Sequence, residues 1–144
     1  MLTLTLLVAL VLGPDLPTPP PARIVPADEV VWVASPKIPG LETAVVDGDP
    51  ATGPHTVLLR VRAGTTLPPH WHDSVEITTV VSGTLLLGEG DTMDDAHARR
   101  LGPGSYFVIP RRAPHWGRAI TDAILSRQGT GRADFHPADR RRPR

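Results

Sequence analysis

From Val30 onward the chain is written in short apolar runs separated by proline, glycine and small polar residues. Val30-Val31-Trp32-Val33 and Leu41 to Val46 are rich in β-branched residues and bounded by turn formers, the composition of strands. Thr56 to Arg62 alternates, with Val57, Leu59 and Val61 on one face and Arg60 and Arg62 on the other. Glu76 to Val81 and Thr84 to Leu87 flank Ser82-Gly83, a tight hairpin in which Gly83 can take positive φ. Tyr106 to Ile109, His115 to Ile120 and Ala123 to Gln128 complete about eight strands by the same reading. Met93 to Arg99 reads instead as a helix, opened by Asp91 or Thr92 as a cap and with Asp94 and Asp95 favoured near its start. Eight short antiparallel strands with this punctuation predict an all-β double-sheet jelly roll.

The two ends follow other patterns. Residues 1–13 form an apolar run from Leu2 to Leu12 stopped by Gly13-Pro14, too short for a helix that needs about 20 residues to cross a bilayer. It reads as a secretory leader, implying export to the periplasm or beyond; no basic residue precedes it and no clean small-residue cleavage site follows. A buried first strand or a misassigned start, with a cytoplasmic chain, are the alternatives. Residues 14–28 read as a stiff proline-rich linker, residues 29–130 as the folded domain, and residues 131–144 as a tail ending Arg140-Arg141-Arg142-Pro143-Arg144.

Composition removes several classes of function. Fifteen basic residues balance fifteen acidic ones, so there is no bulk electrostatic case for nucleic acid. The absence of cysteine excludes disulfides, iron–sulfur ligation and thiol nucleophiles. Seventeen prolines and thirteen glycines suit many short strands better than long helices.

The candidate chemistry sits in Gly64-Thr65-Thr66-Leu67-Pro68-Pro69-His70-Trp71-His72-Asp73-Ser74-Val75-Glu76. Side chains alternate along a strand, so His70 and His72 share a face if the segment is extended, and Trp71 faces away. A small bend after Asp73 returns the Glu76 carboxylate to the same point. With His115 downstream, the set offers three imidazoles and one carboxylate, donors suited to a divalent transition metal. Neutral imidazole is the ligand form, so affinity is expected to fall below about pH 6. Trp116 falls on the outer face by the same alternation as Trp71. Glu76, Thr78 and Val80 are expected to share the inner face, leaving an apolar pocket beyond the metal. His55, His97 and His136 lack partners at ligand spacing and read as surface residues, and Arg111-Arg112 as a solvated turn or an anion-steering rim.

The spacing Gly64, His70, His72, Glu76, Gly83 resembles the first signature of the cupin superfamily at every fixed position. Gly104 to His115, with Pro110, is similar to the second signature, departing at Arg112, where glycine is common, and at Ala119, where asparagine is common. The resemblance spans residues 29–130 and implies a double-stranded β-helix, the jelly-roll barrel of cupins. It implies one divalent metal (Fe, Mn, Ni, Co, Cu or Zn) on His70, His72, Glu76 and His115, with Glu76 also a candidate acid or base. The implied function is a metal-dependent, dioxygenase-like oxidoreductase acting on a small oxygen-rich molecule. A non-catalytic metal-dependent binding or sensor protein, or a cupin isomerase or decarboxylase, is the alternative. The expected partners are a small-molecule ligand and neither nucleic acid nor a stable membrane span, with a homodimer left open.

Overall fold

The computed structural model describes residues 18–138; the apolar leader and the Arg140–Arg144 end lie outside the described residues. Eleven strands are found there: β1 (Val33–Ala34), β2 (Leu41–Gly48), β3 (His55–Val61), β4 (Thr66–Trp71), β5 (Glu76–Ser82), β6 (Leu85–Glu89), β7 (Arg99–Leu101), β8 (Tyr106–Ile109), β9 (His115–Ala119), β10 (Ala123–Gly129) and β11 (His136–Pro137). The described helical structure is a single 3-10 turn at Ala27–Glu29. The strands form two sheets, ordered β1-β2-β3-β10-β5-β8 and β11-β4-β9-β6-β7, and every pairing is antiparallel. This is the all-β jelly roll expected from the pattern.

The alternation read from β3 holds, with His55, Val57, Leu59 and Val61 all buried. Val57, Leu59 and Val61 meet Val80 of β5, Leu125 of β10, and Leu85 and Ala119 from the smaller sheet, forming the core between the two layers. Burying one such leucine or valine contributes about 1.5–3 kcal/mol, so closure of the sheets is driven by this shared face. Gly83 has φ +77°, and a Cβ there would meet the Asp122 carbonyl at 2.1 Å, so the β5–β6 turn needs glycine twice over.

Two local expectations are corrected. The helix over Met93 to Arg99 is absent; the segment turns and then enters β7. Asp94 accepts from the Ala96 amide at 3.0 Å and lies 2.6 Å from His97 Nδ1, so its side chain stabilises a turn in place of a first helical turn. His55 is not a surface residue: it is 4% exposed, opposite Gly129 in the ladder, where the missing side chain leaves room for its ring. Trp116 points away from His115 as alternation requires, yet it is 1% exposed. It lies against Gly88, where a Cβ would come within 2.2 Å of the indole, and the Arg118 guanidinium lies 5.9 Å from the ring centroid.

The C-terminal segment also departs from its reading as a tail. Residues 131–138 fold back along the smaller sheet, and β11 pairs with β4 through His136 opposite Trp71 and Pro137 opposite His70. Trp71 is therefore partly covered, its ring stacked on His136 with centroids 4.0 Å apart.

Candidate metal centre

Three histidines converge inside the sandwich. His70 is at the end of β4, His115 opens β9 directly opposite it in the ladder, and His72 follows after β4 ends. All three are buried, and their ligand atoms lie within 4.8 Å of one another. Each Nδ1 has a carbonyl partner: His70 with Pro68 at 2.7 Å, His72 with Asp134 at 2.7 Å, and His115 with Ala113 at 3.1 Å. These bonds fix the proton on Nδ1, leaving the lone pair on each Nε2 as the available ligand. His72 Nε2 is buried with no hydrogen-bond partner among the described residues. Buried acceptors facing one another are costly unless a cation sits among them, so the donor set fits a transition metal.

Glu76 stands beside His72 and His115 and is not centred among all three. Its Oε2 is 3.1 Å from His72 Nε2 and 4.0 Å from His115 Nε2. Oε1 accepts from the Thr78 hydroxyl at 3.0 Å, and Arg127 Nε lies 3.3 Å from Oε2. Glu76, Thr78 and Val80 do share the inner face, each buried.

Charge states follow from these surroundings. Burial, reinforced by His115, pushes the His70 imidazole down to about 3, so it stays neutral across the ordinary pH range. Burial also lowers His115, only partly offset by Glu76 and the Ala113 carbonyl. Burial works against an ionised Glu76, but the His72 contact and the Arg127 charge outweigh it and hold the carboxyl down to about 2. The site thus presents two imidazoles held in ligand form and one carboxylate held as an anion. Proton competition at His70 starts well below the pH expected from free imidazole.

A cavity of about 100 Å³ opens on the centre, bounded by His70, His115, Glu76 and Arg127 and walled by side chains such as Leu125 and Phe107. A wider cleft of about 520 Å³ lies at the surface along Asp73, Arg111, Asp134 and His136. It is larger but open, and its Asp73 and Asp134 carboxylates are already held by Arg112 and the Asp73 amide. The inner cavity is therefore the place where free ligand atoms meet an enclosed space.

Two departures from the cupin signature acquire a structural meaning. Arg112 has φ +59°, the left-handed conformation that glycine adopts freely, so the turn before His115 is retained at some strain. Its amide donates to the His72 carbonyl at 2.7 Å and its Nε to Asp73 Oδ1 at 3.0 Å, which ties this turn to the other ligand-bearing segment. Arg111 Nε donates to the Asp73 carbonyl at 2.7 Å, so the pair clamps a strand end where a freely solvated turn was one expectation. Ala119 is buried in the core, hydrogen-bonded through its backbone to Gly64 and Thr65.

Sequence reasoning missed Arg127, Asp134 and Phe135. Arg127 had a local signal: it continues the inward face of β10 set by Ala123 and Leu125, and a charge there calls for a partner. Phe135, whose ring stacks on His70 at 4.3 Å, and Asp134, which receives the His72 bond, had none. His136, expected at the surface without ligand-spaced partners, is half-buried and gathers with Asp73 and Asp134 into a second group of metal-capable side chains.

Known proteins place this geometry in a family. The ChrR cupin-like domain matches residues 21–123. No curated protein matches the chain. Among solved structures, KdgF from Halomonas sp. is similar at 25% identity and TM-score 0.60, over 80% of this chain and 94% of that one. The polyketide cyclase RemF from Streptomyces resistomycificus is similar at 20% identity and TM-score 0.65, over 82% of this chain and 86% of that one. Salicylate 1,2-dioxygenase from Pseudaminobacter salicylatoxidans is similar at 22% identity and TM-score 0.54, over 64% of this chain but only 26% of that one. With the family matched across most of its length, the chain belongs to the cupins of the ChrR cupin-like domain family.

Proposed function

We propose that this protein is a metal-dependent cupin enzyme, a dioxygenase-like oxidoreductase acting on a small oxygen-rich molecule. The observation that carries the reading is the buried trio whose Nδ1 atoms are all committed to carbonyls, leaving Nε2 atoms of His70, His72 and His115 for one metal. Glu76 is the fourth ligand or, held as an anion beside them, the base that accepts a substrate proton. A divalent ion bound there supplies Lewis acidity, and a redox-active one supplies reactivity toward dioxygen.

The chain's own groups define the rest. Pro68, Asp134 and Ala113 orient the imidazoles, Thr78 and Arg127 orient the carboxylate, and the leucine and phenylalanine walls exclude water. The cavity of about 100 Å³ is smaller than the ~150 Å³ site that takes up benzene, which points to compact diketones or oxo acids over phenolic rings and flavonols.

The test is metal analysis of protein from its own host, followed by oxygen uptake by the iron-, manganese-, nickel- and copper-loaded forms over such a panel. Substrate-dependent uptake that disappears in Glu76→Gln supports the reading. Retained metal with no turnover of any compound would replace it with metal-dependent binding.

A further inference from the structure

Arg127 is the half-buried cation beside the metal centre, and holding Glu76 occupies only one edge of its guanidinium. Its side chain is 17% exposed, yet it sits on the inward face of β10, two residues after the core residue Leu125. It lines the inner cavity with His70 and His115. Among the described residues its ionic partner is Glu76, 3.3 Å from Nε, and Nε itself has no hydrogen bond there. A guanidinium carries five N–H donors in a rigid planar fork. Arg127 Nε is enclosed without a hydrogen bond, which is costly, and an apolar ligand in the cavity would offer the guanidinium no acceptor.

Charge balance points the same way. With a divalent ion on three neutral imidazoles, Glu76 and Arg127 cancel each other and the ion's own charge is left uncompensated inside the sandwich. A neutral ligand leaves that imbalance, whereas a monoanion halves it. Arg127 can also receive a carboxylate through two parallel bonds, the geometry in which arginine discriminates best. The rest of the cavity is leucine and phenylalanine surface, and it holds only a few heavy atoms beyond the acid group.

We infer that Arg127 is the anion anchor of this cavity, so that the ligand is a small monocarboxylate whose acid group meets the guanidinium and whose short apolar body fills the leucine-lined space. The inference rests on the metal-centre reading for the charge balance, and on the cavity lining alone for the anchor. Phe107 and Leu125 then set the size limit at the apolar end.

The experiment compares isobutyrate with isobutyramide, matched in shape but not in charge, by calorimetric titration into zinc-loaded and metal-free full-length protein. Zinc content is measured in each sample. The expected result is a preference for isobutyrate of at least about tenfold, present in weaker form without zinc and lost in Arg127→Met, as removal of a charge-assisted bond requires. Arg127→Lys should retain part of it, since the charge stays and the fork is lost. No preference in wild-type protein overturns the anchor, as does a preference that survives in Arg127→Met. If Arg127→Met does not fold, the metal-free wild-type arm decides: a carboxylate preference confined to the zinc-loaded form assigns the anion to the metal and ends the proposal. Failure of wild-type protein to retain zinc would instead overturn the metal-centre reading, and the metal-free comparison would still judge Arg127.

Discussion

Two groups of metal-capable side chains meet at the His72–Asp73 peptide, and they differ in what their polar atoms have left to bind. The inner group, His70, His72 and His115, is buried, and its Nδ1 atoms are fixed by carbonyls. The outer group, Asp73, Asp134 and His136, is half-exposed, and its carboxylates are already engaged, although His136 Nε2 has no hydrogen bond, as His72 Nε2 has none. Arg112 holds one Asp73 oxygen at 3.0 Å, His136 lies 3.3 Å from the other, and both Asp134 oxygens accept from the Asp73 amide at 3.1 Å. A metal entering the inner group meets enclosed imidazole nitrogens with the Glu76 carboxylate 3.1 Å from His72 Nε2, whereas one entering the outer group must displace the guanidinium and amide that hold Asp73 and Asp134. Ligand-type residues in proximity are thus only half of a metal site; the other half is burial, which keeps water from the donor atoms.

The largest expected effect follows directly. His72→Ala should lower metal affinity by at least about 100-fold in a competitive chelator titration, while His136→Ala should leave it within a few-fold of wild type. Equal losses in the two variants would erase the distinction between the groups.

A second effect links them. The segment that carries the outer group also supplies the Asp134 carbonyl to His72 and the Phe135 ring to His70. Ending the chain after Thr130 should therefore cost about 10–100-fold in metal affinity, the usual consequence of losing groups that orient ligands, with the sandwich still folded. Unchanged affinity in the same titration would show that the inner group stands without its C-terminal cover.

Acid should also separate the groups. In the metal-free protein His70 stays neutral down to about 3, while in the unfolded chain it protonates near 6.5. The unfolded state then binds more protons, so stability present above about pH 6.5 is lost as pH falls through that window, on the order of 1 kcal/mol per pH unit for one such group. His115, also lowered, adds in the same direction. Glu76, held down to about 2, adds a further loss below its ordinary value of 4.5. Urea midpoints at pH 7, 6, 5 and 4 check this; midpoints flat from 7 to 4 would mean that the imidazoles are not held neutral.

The smallest effect concerns the clamp between the groups. Arg112→Gly relieves the left-handed conformation but loosens the unfolded chain, and its contact with Asp73 is exposed. Stability should stay within about 1 kcal/mol of wild type, with metal affinity unchanged. A large loss would show that the ion pair, and not the backbone turn, holds the His115 loop in place.

What the chain declares in advance depends on how local each cause is. Period-two alternation disclosed the inner face of β3 and the shared face of Glu76, Thr78 and Val80, because each residue's side is set by its neighbours. The same alternation placed His70 and His72 on one face, while His115, far downstream, was legible only through the resemblance to the cupin signatures. Asp134 and Phe135 were illegible: they reach the histidines across more than 60 residues, through a two-residue strand with no periodicity to read. His55 was misjudged because a glycine on the adjacent strand, Gly129, leaves the space that buries its ring. Met93 to Arg99 failed differently, since Asp94, read as a favourable charge near a helix start, serves equally well to close a turn.

The most direct measurement is X-ray absorption on the metal-bound full-length protein, which counts the imidazoles on the ion. The inner group predicts three histidine nitrogens at about 2.0–2.1 Å for zinc or a similar ion. A shell with one imidazole and two carboxylates, the composition of Asp73, Asp134 and His136, would place the metal at the surface and contradict the account.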